Sequence, residues 1–156
     1  LQPVAPLPAT RGWAAAPDFL KLVAETVLRE KPAIVVEASS GASTLIIAYC
    51  LKRLGRGKVV SLEHEAEYAA KTRAAVALHG LEDFAEVVDA PLREVTLNGA
   101  AWQWYDTAGL RLDGPIDLLV VDGPPGTIQR EARYPALPVL RDRLAPGAIA
   151  LLDDAR

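Results

Sequence analysis

Five short apolar runs punctuate the chain: AIVVE (33–37), KVVSLE (58–63), AEVVD (85–89), IDLLVVD (116–122) and GAIALLD (147–153). They are rich in Val, Ile and Leu and lack clean alternation, the pattern of strands buried on both faces of a parallel sheet. Between them the period changes to that of helices. After Ser43, positions Leu45, Ala48 and Leu51, with Ile47 and Leu54 alongside, recur at helical spacing until GRG stops the run. Glu65 to His79 places Ala69, Thr72 and Val76 on one face, with Gly80 as a C-terminal stop. A third helix is predicted from Pro135 to Leu144, with both Pro135 and Pro138 early enough to be tolerated. An amphipathic segment from Asp18 to Glu30, capped by Asp18, precedes the first run, and the proline-rich residues 1–12 read as an extended arm. Strand and helix alternating at this spacing predict a doubly wound α/β sheet in one domain, without internal repeats.

Every run ends in an acid: Glu37, Glu63, Asp89, Asp122 and Asp153. In a parallel sheet these ends share one edge, where open α/β folds bind ligands. One or two acids would merely mark loop starts; five of five point to a functional edge. Composition narrows the ligand classes. The 156 residues are 51% hydrophobic with a formal net charge of -3, and no basic stripe offers a footprint for nucleic acid or an anionic membrane. No apolar run approaches the ~20 residues of a transmembrane helix. The single cysteine, Cys50, excludes an intramolecular disulfide and a cysteine-cluster zinc site, and suits a reducing cytoplasm. It falls on the buried stripe of the helix after Ser43 and reads as core.

The turn SSGAST (39–44) decides between phosphate and other ligands. It lacks G-x-G-x-x-G, no G-K-[ST] follows, and Glu37 beside it would oppose a pyrophosphate. A cationic ligand bearing hydroxyls and an amino group fits these acids better. S-adenosylmethionine is such a ligand, and its carboxylate would take N–H donors from the Ser39–Ser43 turn.

VVEASSGAST, followed by VVSLEHE, VVDAPL, IDLLVVDGPPG, RYPALPVL and APGAIALLDDAR, resembles the class I S-adenosylmethionine-dependent methyltransferases. The likeness is to their bacterial branch with an E-x-G-S-G-x-S-T-like first motif. It implies a Rossmann-like sheet of five parallel strands in the order 3-2-1-4-5, with the family's usual last two strands absent from this chain, which would leave the fifth strand an unprotected edge. It further implies Glu37 near the methionine ammonium, Ser39, Ser40 and Gly41 along the methionyl and ribose part, and Ser43 at the carboxylate. Glu63 would accept both ribose hydroxyls, His64 would flank the adenine, Asp89 would accept its amine, and the Ala90 N–H would face the ring. Asp122 would sit beside the transferred methyl as the candidate base. The family usually has glycine where Ser39 stands, so a serine there fits only if its φ is negative and its Cβ points away from the cofactor.

Asp122, Asp153 and Asp154 are candidate ligands for Mg²⁺ or Ca²⁺, since some methyltransferases use a metal at these strand ends to orient and deprotonate a hydroxyl. The competing reading has Asp153 or Asp154 capping a following helix and Asp122 bonding its own loop. DGPPG (122–126) departs from the Asn/Asp-Pro-Pro-aromatic loop of base methyltransferases: Gly123 intervenes and Gly126 replaces the stacking aromatic. Trp102, Trp104 and Tyr105 read as packing under the fourth strand in preference to an acceptor wall. Arg130, Arg133, Arg141 and Arg143 read as a solvated helix face. The expected acceptor is a small molecule methylated at oxygen or nitrogen, with neither membrane nor nucleic acid as partner; a homodimer through the fifth strand is left open. The alternatives are an NAD-dependent Rossmann oxidoreductase, with Glu63 as the ribose acid, and a non-catalytic or truncated cofactor-binding domain.

Overall fold

The computed structural model describes residues 1–8 and 15–154. Helix α1 (Pro17–Glu30) leads into β1 (Ile34–Ala38), α2 (Ala42–Leu54), β2 (Lys58–Glu63), α3 (Ala66–Leu78) and β3 (Ala85–Asp89). A strand pair follows, β4 (Leu92–Leu97) and β5 (Ala100–Tyr105), then β6 (Ile116–Val121), α4 (Ala136–Leu140), a 3-10 turn over Arg141–Arg143, and β7 (Leu144–Leu152). The main sheet is parallel, in the order β3-β2-β1-β6-β7. This is the predicted order, renumbered because β4 and β5 form a separate antiparallel hairpin.

Period-2 geometry explains why the strand runs do not alternate. Val35, Val59, Leu118 and Val120 enter one core with Val23 and Val27 of α1, Leu45 and Ile47 of α2, and Val76 of α3. Their neighbours Val36, Val60, Leu62, Leu119 and Val121 enter the other, with Trp104, Tyr105 and Leu140. Both faces are covered, so both sets must be apolar. Each such side chain contributes roughly 1.5–3 kcal/mol of burial. Helices cover the first face. On the second, the hairpin lies where a crossover helix is usual in such folds, and it is held there by Trp104, fully buried against β6. The turn at Gly57, before β2, requires glycine: its φ is +88°, and a Cβ would meet the Pro32 carbonyl and Leu51.

The predicted helix over 135–144 is shorter in the structure. Leu144 already opens β7 and pairs with Ile116 across an irregular register. The segment between Asp122 and Pro135 is turns and loop, so its arginines do not form the expected solvated helix face. Of the arm, residues 1–8 carry neither helix nor strand, and 9–12 lie outside the described residues. Val4 N–H donates to Tyr49 Oη, and His79 joins Tyr49 to the Pro6 carbonyl. This strap brings Pro8 to the rim of the main pocket. Cys50 is buried in the first core, as expected. Among the described residues, no helix is long and apolar enough to cross a membrane.

Candidate active site

The C-terminal ends of β1, β2, β6 and β7 open onto one pocket of about 1750 Å³. Its walls include the Ser39–Ser43 turn, Glu63 at the end of β2 with His64 after it, Tyr105 from the hairpin, and the loop from Asp122 to Tyr134. A volume above the ~300–1,000 Å³ of a drug-sized site leaves room for a nucleoside cofactor and a second molecule together.

The turn after β1 has the backbone that glycine prefers. Gly41 has φ +143° and, two residues earlier, Ser39 has φ +131°. Serine at such a φ is strained by roughly 1–3 kcal/mol. Its Cβ is directed toward Gly123, whose own missing Cβ would lie 3.4 Å from it. The condition on which serine would fit without crowding therefore fails at φ, although the side chain is accommodated by the bare Gly123 opposite. Gly123 is required for another reason: a Cβ there would collide with the Tyr105 hydroxyl.

Glu37 is fully buried and does not line the pocket. Ser43 Oγ, Thr44 Oγ1 and Ser61 Oγ all donate to it, the last two at 2.6 Å. It thus bolts the start of α2 to β1 and β2, and the pocket meets Ser43 in front of it. Burial raises its pKa; the three hydroxyls pull the other way without winning, and Glu63 adds to the rise.

Glu63 is 2% exposed and faces the pocket. Its Oε2 accepts from Ser40 Oγ at 2.7 Å, and its Oε1 from the Glu65 N–H at 3.1 Å. Ser40 also meets Thr72 of α3 at 3.0 Å, so the carboxylate is fixed by the turn after β1 and by the start of α3. His64 lies 3.4 Å from Glu63 and 3.5 Å from Glu65, and its ring stands edge-on to Tyr105. The Tyr105 phenol is held well above its ordinary pKa by burial and by the negative charges of Glu63, Glu37 and Asp122.

Asp89 and Ala90 are not brought into the pocket lining. Asp89 stands exposed at the sheet edge and pairs with Arg73 of α3 at 2.9 Å. The Ala90 N–H is engaged by the Glu63 carbonyl at 2.8 Å, so it is not turned toward the pocket as the resemblance implied. β3 is the edge strand beyond β2, and the pocket extends the other way, over the ends of β1, β6 and β7.

Asp122 follows β6, on the pocket wall, with its side chain 10% exposed. Burial outweighs the attraction of Arg133, and with Asp153 and Glu37 nearby its pKa is pushed up to about 7. Asp153 and Asp154 also line the pocket, and the Asp153 side chain reaches that of Asp122, but the three do not converge as a ligand cluster. Among the described residues, the metal-ligating side chains that converge within 4.8 Å are Glu63, His64 and Glu65. Asp153 turns its Oδ1 to its own loop, accepting the Asp154 N–H at 3.0 Å. The residue that sequence reasoning assigned to a solvated face, Arg133, lies instead among these acids. Its only signal in the sequence was position, within the loop that connects two acid-ended strands.

The aromatic segment divides. Trp104 is core, as expected; Tyr105 is both core and pocket wall; Trp102 packs on Tyr134 with ring centroids 4.7 Å apart. Gln129 sews the loop to the hairpin, its Oε1 accepting the Gln103 N–H and its Nε2 donating to the Gln103 carbonyl.

Comparison with curated protein sequences returns no match. Solved structures do match in fold. The methyltransferase PaMTH1 of Podospora anserina, bound to S-adenosylhomocysteine (SAH), is 19% identical with a TM-score of 0.67, over 91% of this chain and 54% of its own. An O-methyltransferase of Bacillus cereus in complex with SAH is 19% identical, TM-score 0.66, over 94% and 59%. The O-methyltransferase TomG of Streptomyces achromogenes, involved in tomaymycin synthesis and complexed with S-adenosylmethionine (SAM), is 18% identical, TM-score 0.65, over 90% and 57%. The chain therefore spans a little over half the length of these proteins. A family model described as a methyltransferase domain matches residues 38–155, from the end of β1 through the last strand, and the chain belongs to that family.

Proposed function

We propose that this domain binds S-adenosylmethionine and directs methyl transfer to the oxygen or nitrogen of a small-molecule acceptor. The observation that carries the reading is the convergence of the Ser39–Gly41 turn, Glu63 and Asp122 on one strand-end pocket, in a chain of a methyltransferase family. When bound, S-adenosylmethionine supplies a methyl activated on a sulfonium. The chain's own residues bind, orient and exclude water. Glu63, a two-oxygen acceptor fixed by Ser40, suits a ribose diol. The start of α2, with Ser43 on the pocket wall, offers N–H groups and the positive end of a helix to a carboxylate. The His64 ring, on the pocket wall and edge-on to Tyr105, is placed to flank an adenine. Glu37 contributes indirectly, by fixing Ser43.

Asp122 is the proposed base for an acceptor hydroxyl or amine. A carboxyl with a pKa of about 7 is poised for proton abstraction near neutral pH. That fold neighbours are bound to SAM or SAH supports the cofactor, and the O-methyltransferases among them favour oxygen as acceptor atom.

Titration calorimetry with S-adenosylmethionine and S-adenosylhomocysteine tests the proposal. Saturable binding of both, weakened at least tenfold by Glu63→Ala, is expected. Absence of heat at millimolar ligand, or preferential binding of NAD, would overturn it.

A further inference from the structure

The ends of β6 and β7 concentrate three acids, and three acids in a partly buried pocket call for a cation. The family resemblance supplies one candidate, a divalent metal on Asp122, Asp153 and Asp154. The structure supplies another from within the chain. The Arg133 guanidinium meets all three residues. Its Nη2 donates to the Asp122 carbonyl at 3.2 Å and to Asp122 Oδ1 at 3.4 Å. Its Nη1 donates to the Asp153 carbonyl and stands 3.8 Å from Asp154 Oδ2. The Arg133 side chain is 18% exposed, so little water screens its charge from Asp122.

The residues do not fit a metal in this arrangement. Mg²⁺ requires near-octahedral oxygens at about 2.0–2.1 Å and Ca²⁺ six to eight oxygens at about 2.3–2.6 Å. Here Asp153 reaches Asp122, but one oxygen of Asp122 is engaged by a guanidinium, Asp153 Oδ1 accepts from its own loop, and Asp154 is exposed beyond the arginine. A guanidinium is permanently charged, so it would also repel a dication brought alongside.

We propose that Arg133 is the resident cation of this edge, and that the acceptor half of the pocket operates without a divalent metal. Arg133 is a positioning residue: its fork ties the loop after β6 to the end of β7 and fixes Asp122 at the pocket wall. The inference deepens the methyl-transfer reading and rests on it for the meaning of Asp122, though the charge arrangement is tested separately.

The test is Mn²⁺ binding, by electron paramagnetic resonance and calorimetry, with Mg²⁺ and Ca²⁺ as competitors, and with S-adenosylmethionine titrated into the same samples. The whole chain is used, as wild type and as Asp122→Asn, Arg133→Ala and the Arg133→Ala/Asp122→Asn double variant. The wild type is expected to show no Asp122-dependent Mn²⁺ binding at millimolar metal. Arg133→Ala is expected to gain Mn²⁺ affinity by about tenfold or more, and the double variant to lose that gain. Micromolar Mn²⁺ binding by the wild type that Asp122→Asn abolishes would overturn the proposal. So would a folded Arg133→Ala that gains none. Should Arg133→Ala fail to fold, the comparison of wild type with Asp122→Asn still decides. Loss of S-adenosylmethionine binding alone would strike the cofactor reading and leave the metal result standing.

Discussion

Ser39 is a residue whose cost can be read directly. It occupies φ +131° in a turn where glycine is at ease, and it lines the pocket. Ser39→Gly releases local strain of roughly 1–3 kcal/mol, offset in part by the ~0.5–1 kcal/mol of extra chain entropy glycine loses on folding. The variant is expected to be more stable by about 1 kcal/mol in denaturant melts, and to bind S-adenosylmethionine more tightly in calorimetry. An unchanged melt would show that the turn relaxes around serine. Glu37 is the contrasting case. Its type and place were legible as a strand-end acid, but not its partners, because Ser43, Thr44 and Ser61 reach it only once α2 and β2 have packed. Glu37→Ala removes the acceptor of three buried hydroxyls, of which Thr44 and Ser61 keep each other, and is expected to destabilise the fold by about 3 kcal/mol. A loss of cofactor affinity without loss of stability would instead mean direct contact with the ligand.

At the scale of elements, the hairpin was the feature least visible in the sequence. Its strands alternate weakly, with burial confined to Trp104, Tyr105 and a few partly covered side chains, because one of its faces looks outward. The aromatic segment therefore announced packing but not strand pairing. Structure shows why it matters: Tyr105 touches Gly123, the residue after Asp122. Gly123→Ala is expected to be destabilised and to lose methyl transfer, because its Cβ collides with the phenol oxygen. Tyr105→Phe removes that oxygen, so the double variant should recover much of the lost stability in thermal melts. Failure of that recovery would place the conflict with Ala38 or Ser39 instead. The short α4 teaches a related lesson. Proline at 135 and 138 suited a helix start, yet β7 needs Leu144 as its first residue, and sheet pairing overrode the helical pattern.

For the whole molecule, charge at the strand-end edge ties stability to pH. Asp122 titrates at about 7 when folded and near 3.8 when not, so the folded protein holds the extra proton between these values. Stability therefore falls as pH rises from about 4 to 7, and Glu37, shifted in the same direction, adds to the fall. The full Asp122 effect is on the order of 4 kcal/mol at most. Thermal melts of Asp122→Asn against wild type should diverge as pH rises through this window, with the variant gaining in relative stability. A constant difference would show that Asp122 is ionised throughout. If Asp122 is the base, methyl transfer runs the other way, falling as pH drops below about 7. A flat rate profile over that range would remove it from that role.

The sequence by itself determined the doubly wound sheet, the position of its strands, and the edge on which the acids end. These follow from period and strand direction, which are local properties: apolar runs too short for helices, helical stretches between them, and an acid closing each run. Only the tertiary structure decided which acids meet the pocket. Asp89 ends on an outer strand and Glu37 behind Ser43, whereas Glu63 and Asp122 face inward. It alone also put Arg133 among the acids, since contact across a loop depends on how that loop folds back over β6 and β7. Periodicity fixes the face on which a side chain leaves an element, whereas partners distant in sequence are fixed by packing.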